Sequence, residues 1–330
     1  MTIALSVIGL GKIGTSIGLA LREYSSEISL TGFDREQTIS KKALELMAFD
    51  HIATSIEDCI KDADIIILAL PVDEIKITIE TIAPLLKPEA VLIDTSPIKI
   101  SISEYVQRIL PEECFYVSLY PTINPSYLHE TEVSIDFAHK DLFQNSFIVI
   151  TSSSNTNNDV IKLAADLTGY LGAQVLFADP YEVDGLLAAV EILPKIISAA
   201  YIHALVDQPG WQEGQKLAGS SFHALSQIST NVNEREFFGE SALLNKENTI
   251  RTMNNVIFSL ETFRDLLNNS NPTEICNWFS DSLQNHNNWL NNRKSAVWND
   301  QFDGDNIPTS GEFLKRAFGF NTKKANRKNS

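Results

Sequence analysis

The chain has 330 residues, 44% hydrophobic and 21% charged, with a formal net charge of -16. That length supports a sizeable core and two domains, and the acidic balance excludes a nucleic-acid surface, which needs a basic field. Cys59, Cys114 and Cys276 are widely spaced, with no CxxC and no His/Cys cluster, which points to buried thiols in a reducing compartment and to no metal site.

The N-terminus is apolar but lacks a basic flank, and Gly9, Gly11 and Gly14 interrupt it. It does not read as a signal peptide, and no stretch offers the ~20 uninterrupted apolar residues that span a bilayer. A cytoplasmic location is the expectation. Ala4 to Ile8 predicts a buried strand. It runs into Gly9-Leu10-Gly11-Lys12-Ile13-Gly14 and then into an apolar-periodic helix. This is the G-x-G-x-x-G turn in its required strand–turn–helix context. Gly9 allows the tight turn, Gly11 lets a pyrophosphate approach the backbone, and Gly14 lets the helix pack on the strand. The N–H groups and positive dipole end of the helix then face the phosphates, so Lys12 and Ile13 join the expected cofactor site.

Ile28 to Phe33 predicts a second strand, closed by Asp34, twenty positions after Gly14. A carboxylate there suits the ribose hydroxyls of NAD, although a turn or capping role would also explain it. Arg35 follows and leaves NADP open. Lys41–Met47 and Ser55–Asp62 read as helices. Asp64 to Pro71 holds a continuous apolar run, the pattern of a parallel strand buried on both faces. Its end, Ala69-Leu70-Pro71, falls at the carboxyl edge of the sheet, where α/β ligands bind.

A helix over Val72–Leu86 follows, then a strand over Ala90–Ile93 ending at Asp94 and Ser96, a helix over Ser101–Leu110, and a strand over Phe115–Leu119 ending at Tyr120-Pro121. Residues 122–146 are irregular and are a candidate cover for the cleft; His129 and His139 within them receive no role. Phe147–Thr151 and Gln174–Phe177 predict strands flanking a helix over Asp159–Leu171. The alternation implies a mostly parallel, doubly wound sheet over residues 1–179.

Beyond Pro180 strand patterns vanish. Val183–Val206 is apolar and helical, with a kink expected at Pro194. Ser241–Leu267 and Pro272–Asn292 are long helices. Residues 180–330 therefore read as an all-α domain whose excess apolar faces suit a homodimer, ending in a basic, solvated tail from Lys315.

The blocks GLGKIGTSIGLALR, DADIIILALPVDEI, VLIDTSPIK, YPTINPS, DLFQNSFIVIT and DPYEVDGLLAAVEILPK, in that order and spacing, resemble the prephenate and arogenate dehydrogenases of tyrosine biosynthesis. The resemblance implies a Rossmann-like N-terminal domain, a helical dimerisation domain, NAD or NADP as cofactor, and oxidative decarboxylation of a cyclohexadienol acid. It also marks departures. The family histidine that contacts the ring hydroxyl is Tyr120 here. Pro97 takes the usual serine position, with Ser96 one residue early, before Lys99. His-Asp becomes Val183-Asp184, and Leu-Pro-His becomes Leu193-Pro194-Lys195. The expected arginines are replaced at His223 and Gln227.

The candidate catalytic residues are accordingly Tyr120, Lys195 and Ser96, with Lys99 and His223 as candidate substrate contacts and Asp94 beside the cofactor. A phenol serves as a base only if cations lower its pKa, and otherwise Tyr120 simply packs. Lys195 follows Pro194 at the domain seam. It is either a desolvated proton-transfer lysine or a surface lysine bridged to Glu191 four residues earlier. The latter would keep it charged and oppose a base role. Two other readings stand beside the first: a β-hydroxyacid-type dehydrogenase using Lys195, and a dinucleotide sensor without turnover.

Overall fold

The computed structural model describes residues 2–153, 155–229 and 235–295. The basic tail from Lys315 lies outside them. The chain opens with β1 (Ile3–Ile8), α1 (Lys12–Leu21), β2 (Ile28–Phe33), α2 (Gln37–Glu45), β3 (His51–Ile52), α3 (Ile56–Ile60), β4 (Ile65–Leu68), α4 (Val72–Ile82), β5 (Val91–Asp94) and α5 (Ile100–Ile109). It continues with β6 (Phe115–Pro121), β7 (Phe147–Thr151), α6 (Asn158–Tyr170) and β8 (Gln174–Phe177). β3, a two-residue strand pairing with β2, has too short an apolar pattern to be read from sequence.

The eight strands form one sheet in the order β3-β2-β1-β4-β5-β6-β7-β8. Every neighbouring pair is parallel except β6 and β7. The order reverses between β1 and β4, so a crevice opens beyond their carboxyl ends, where open α/β sheets bind ligands. All four residues of β4 are buried, each worth roughly 1.5–3 kcal/mol on leaving water. One face packs under α1, α2 and α6 through Ile17, Ala43 and Leu167. The other packs under α3, α4 and α5 through Ile60, Ile79 and Val106.

From Pro180 the described chain is helical: α7 (Pro180–Leu187), a π turn over Ala188–Ile192, α8 (Leu193–Val206), α9 (Trp211–Leu217), α10 (Ser220–Ser226), α11 (Arg235–Leu244), α12 (Lys246–Asn268) and α13 (Pro272–Ser295). Pro194 brings a π turn into the run just before it. Proline lacks the N–H that would close the next α turn, and the wider turn redistributes the bonds around that gap. By length and mean hydropathy of 1.6 the run Pro180–Val206 is apolar enough to cross a membrane. Here part of it packs across the end of the sheet, where Asp184 accepts the backbone N–H groups of Lys99 and Ile100. Asn245 donates to Asp184 O at 2.7 Å, and Arg293 donates to Ile123 O at 2.6 Å. These bonds tie α12 and α13 back to the sheet end.

Candidate active site

β1 ends at Ile8, and the chain turns at Gly9 with φ of +90°, a conformation that suits glycine. A Cβ on Gly9 would stand 2.4 Å from Ala69 O, and one on Gly14 would stand 1.9 Å from Gly9 O. The turn, the start of α1 and the wall formed by Ala69, Leu70 and Pro71 therefore interlock through bare backbone. Asp34 at the end of β2 accepts the N–H of Leu10 at 2.8 Å on one oxygen and that of Glu36 at 2.9 Å on the other. It shapes the turn as well as facing the crevice. Arg35 is 71% exposed and pairs with Glu74 at 2.8 Å, a contact that competes with any 2′-phosphate.

The irregular segment between β6 and β7 covers this turn. Val133 O accepts the N–H of Lys12, the first residue of α1, at 2.9 Å. The Lys12 ammonium is buried against Glu130 at 3.0 Å. Glu130 also meets His139 Nε2 at 3.1 Å, and the His139 ring stacks on Tyr127 at 3.9 Å. The glycine geometry, the helix end and Asp34 fit a dinucleotide. Lys12 departs from the expectation, because its ammonium is taken by Glu130 and its N–H by Val133; Ile13 stays half-buried beside it.

Three expected site residues form a buried network instead. Lys99 is 0% exposed and donates to Ser96 O at 2.5 Å, Ser118 Oγ at 2.8 Å and Leu119 O at 2.9 Å. Its three hydrogens are spent inside the protein, so it does not present a charge to substrate. Burial lowers its pKa, against the opposing pull of Asp94 and Asp184. Asp94, also 0% exposed, accepts from Ser96 N–H at 2.9 Å and from the Tyr116 hydroxyl at 2.5 Å. Ser96 Oγ lies 2.6 Å from Asp94 Oδ1 and 2.9 Å from Ile98 O. A polar residue beside a strand end can turn inward as readily as outward, and here the corner between β5 and α5 is built on these inward polar groups. Burial raises the Asp184 carboxyl above its ordinary 3.8, which its N–H bonds and Lys99 oppose.

A cleft of about 280 Å³ lies between Pro97 on that corner and the π turn, α8 and α11. Its wall is largely apolar, with Glu191 and Lys195 set in it and Ser241 at its edge. Lys195 Nζ donates to Glu191 Oε1 at 2.5 Å and lies 4.5 Å from the Phe238 ring centre. The Tyr120 hydroxyl donates to Glu191 Oε2 at 3.3 Å. Burial, then the Glu191 charge, push the Tyr120 phenol well above its ordinary 10. Its hydroxyl thus stands in the structure as a donor to Glu191. His223 is exposed on α10, away from the cleft lining. Sequence reasoning identified the Glu191–Lys195 pair through its four-residue spacing but not its place in the cleft, which the π turn sets.

Fold and site together define a Rossmann-type dinucleotide-binding protein with a helical extension closing over the sheet end. Residues 17–177 match the model described as the prephenate dehydrogenase nucleotide-binding domain, and over that segment the chain is similar to the prephenate dehydrogenase family. The cyclohexadienyl dehydrogenase of Zymomonas mobilis is 28% identical over 59% of this chain and 64% of its own length. The prephenate dehydrogenase of Bacillus subtilis is 26% identical over 59% of this chain and 52% of its own. The chain thus aligns with about half to just under two-thirds of the length of these relatives. Among solved structures, Aquifex aeolicus prephenate dehydrogenase in complex with hydroxyphenyl propionate and NAD+ shares the fold, with a TM-score of 0.73 and 20% identity over 87% of this chain and 98% of its own. Synechocystis arogenate dehydrogenase does so with a TM-score of 0.68 and 23% identity over 87% and 100%.

Proposed function

We propose that the chain is an NAD-dependent dehydrogenase that oxidises the ring alcohol of prephenate, arogenate or a related hydroxy acid. One observation carries the reading: the glycine turn and Asp34 share the sheet's carboxyl edge with a largely apolar cleft holding a single carboxylate–ammonium pair. Gly9, Gly11 and Gly14 would admit the pyrophosphate to the end of α1, with Ala69, Leu70 and Pro71 as the facing wall. Asp34 would take the ribose hydroxyls, and its charge together with the Arg35–Glu74 pair favours NAD over NADP. A bound nicotinamide supplies the hydride acceptor.

The chain's own part is to bind and orient. In a protein of net charge -16, an anionic substrate needs a local cation, and Lys195 over the Phe238 ring supplies one. Pro97, Ile192 and Ile196 would exclude water from the ring. The ion pair to Glu191 speaks against Lys195 as a base, and so against the β-hydroxyacid-type chemistry.

The same reading divides the chain near Asp179 into a dinucleotide domain and a helical domain. A second copy would cover the exposed faces of α12 and α13, where Phe258, Leu260, Phe279 and Leu283 are bare. Cys59 and Cys114 are buried thiols, while Cys276 is exposed, contrary to the expectation of three buried thiols. The test is calorimetric titration with NAD and NADP, followed by turnover assays on prephenate and arogenate. Binding of NAD with turnover of either acid supports the proposal. Binding without turnover of either would leave the sensor reading in its place.

A further inference from the structure

The cleft opens beside Pro97, just past the carboxyl end of β5, and alcohol oxidation in it would need a proton acceptor. Tyr120 does not qualify, because its hydroxyl already donates to Glu191 and burial holds the phenol protonated. Lys195, as the ammonium partner of Glu191, has no lone pair to offer. Ser241 is a neutral hydroxyl. Glu191 is the one carboxylate among the residues lining the cleft. Each of its oxygens is held by a different group, Oε1 by Lys195 and Oε2 by Tyr120, and each keeps a further lone pair. The two holders come from opposite sides of the seam, β6 and α8, so the carboxylate is fixed relative to both. The π turn over Ala188–Ile192 gives Glu191 its aim, in keeping with the placement of such turns at functional sites.

We infer that Glu191 is the catalytic proton acceptor, with Tyr120 and Lys195 as its positioning residues. This rests on the dehydrogenase reading above. The substrate O–H bond breaks and its proton goes to a Glu191 oxygen, giving the neutral acid. The carbinol C–H bond breaks with its electron pair, which leaves as hydride for the oxidised nicotinamide, and the carbon–oxygen double bond forms. Lys195 stabilises the carboxylate before the transfer, and Tyr120 keeps Oε2 oriented.

The experiment compares wild type with Glu191→Gln and Glu191→Ala, each checked for folding by circular dichroism and for NAD affinity by calorimetry. In Glu191→Gln, kcat/KM should fall by about 10²–10⁴-fold, the usual contribution of a general base, while the NAD dissociation constant stays within threefold. Formate at high concentration should restore part of the activity of Glu191→Ala, which a merely structural role would not allow. Tyr120→Phe should lose about tenfold or less. Glu191→Gln activity within threefold of wild type, or a formate-insensitive Glu191→Ala, would overturn the inference while leaving the dehydrogenase reading intact. A wild type that turns over neither acid would overturn both.

Discussion

Replacing Lys99 with methionine separates a structural lysine from a substrate-binding one. The side chain is 0% exposed, and methionine fills a similar volume without the charge. The variant leaves Ser96 O, Ser118 Oγ and Leu119 O without their donor, at distances now of 2.5, 2.8 and 2.9 Å. It also removes the positive charge that Asp94 and Asp184 favour. Each buried acceptor left without its donor costs about 1–3 kcal/mol, and loss of the positive charge near Asp94 and Asp184 pulls the same way. Urea unfolding of wild type and Lys99→Met should therefore differ by at least about 3 kcal/mol. The corner carrying Pro97 would loosen, so kcat and KM should both suffer. A loss under about 1 kcal/mol, the range of an exposed charge, combined with a raised KM alone, would refute the reasoning and return Lys99 to the substrate.

Three other outcomes follow from the same geometry. Gly14→Ala places a Cβ 1.9 Å from Gly9 O; it should cost at least about 2–3 kcal/mol of stability and abolish NAD binding by calorimetry. Glu130→Gln removes the charge that holds the β6–β7 segment on Lys12, so NAD affinity should rise by about 1 kcal/mol, roughly fivefold; unchanged affinity would mean that the Val133–Lys12 bond persists beside bound cofactor. Burial pushes the Asp64 carboxyl up, but the Lys87 and Ala4 hydrogen bonds outweigh it and leave the group below its ordinary 3.8. Its stabilisation is then present above 3.8 and lost as pH falls through the lowered value. Asp64 is 45% exposed, so Asp64→Asn should lose under about 1 kcal/mol at pH 7, with the gap in thermal midpoint closing as pH drops below 3.8.

The sheet was legible because its signals are local. The apolar run of β4 between Asp64 and Pro71 has one interpretation as a strand buried on both faces. The turn at Gly9 and Gly14 follows from backbone approaches that a side chain forbids. Asp34 was legible as a crevice carboxylate, though not its grip on the N–H of Leu10.

The polar residues after β5 were harder. Spacing places Asp94, Ser96 and Lys99 at the sheet's carboxyl edge but does not say whether their side chains face the cleft or turn into the protein. Their partners Ser118 and Leu119 come from β6, about twenty residues on. Spacing alone shows Glu191 as half of a helical ion pair, since an ideal α-helix does not contain the π turn that aims it. The cover over Lys12 depends on a contact between residues more than a hundred positions apart, which no local pattern records.

The proposed dehydrogenase activity is tested most simply by one spectrophotometric assay of the purified full chain with NAD and either prephenate or arogenate. Reduced-nicotinamide absorbance should grow in step with substrate loss, faster with NAD than with NADP. A protein that binds NAD by calorimetry yet reduces none of it with either acid would contradict the proposal.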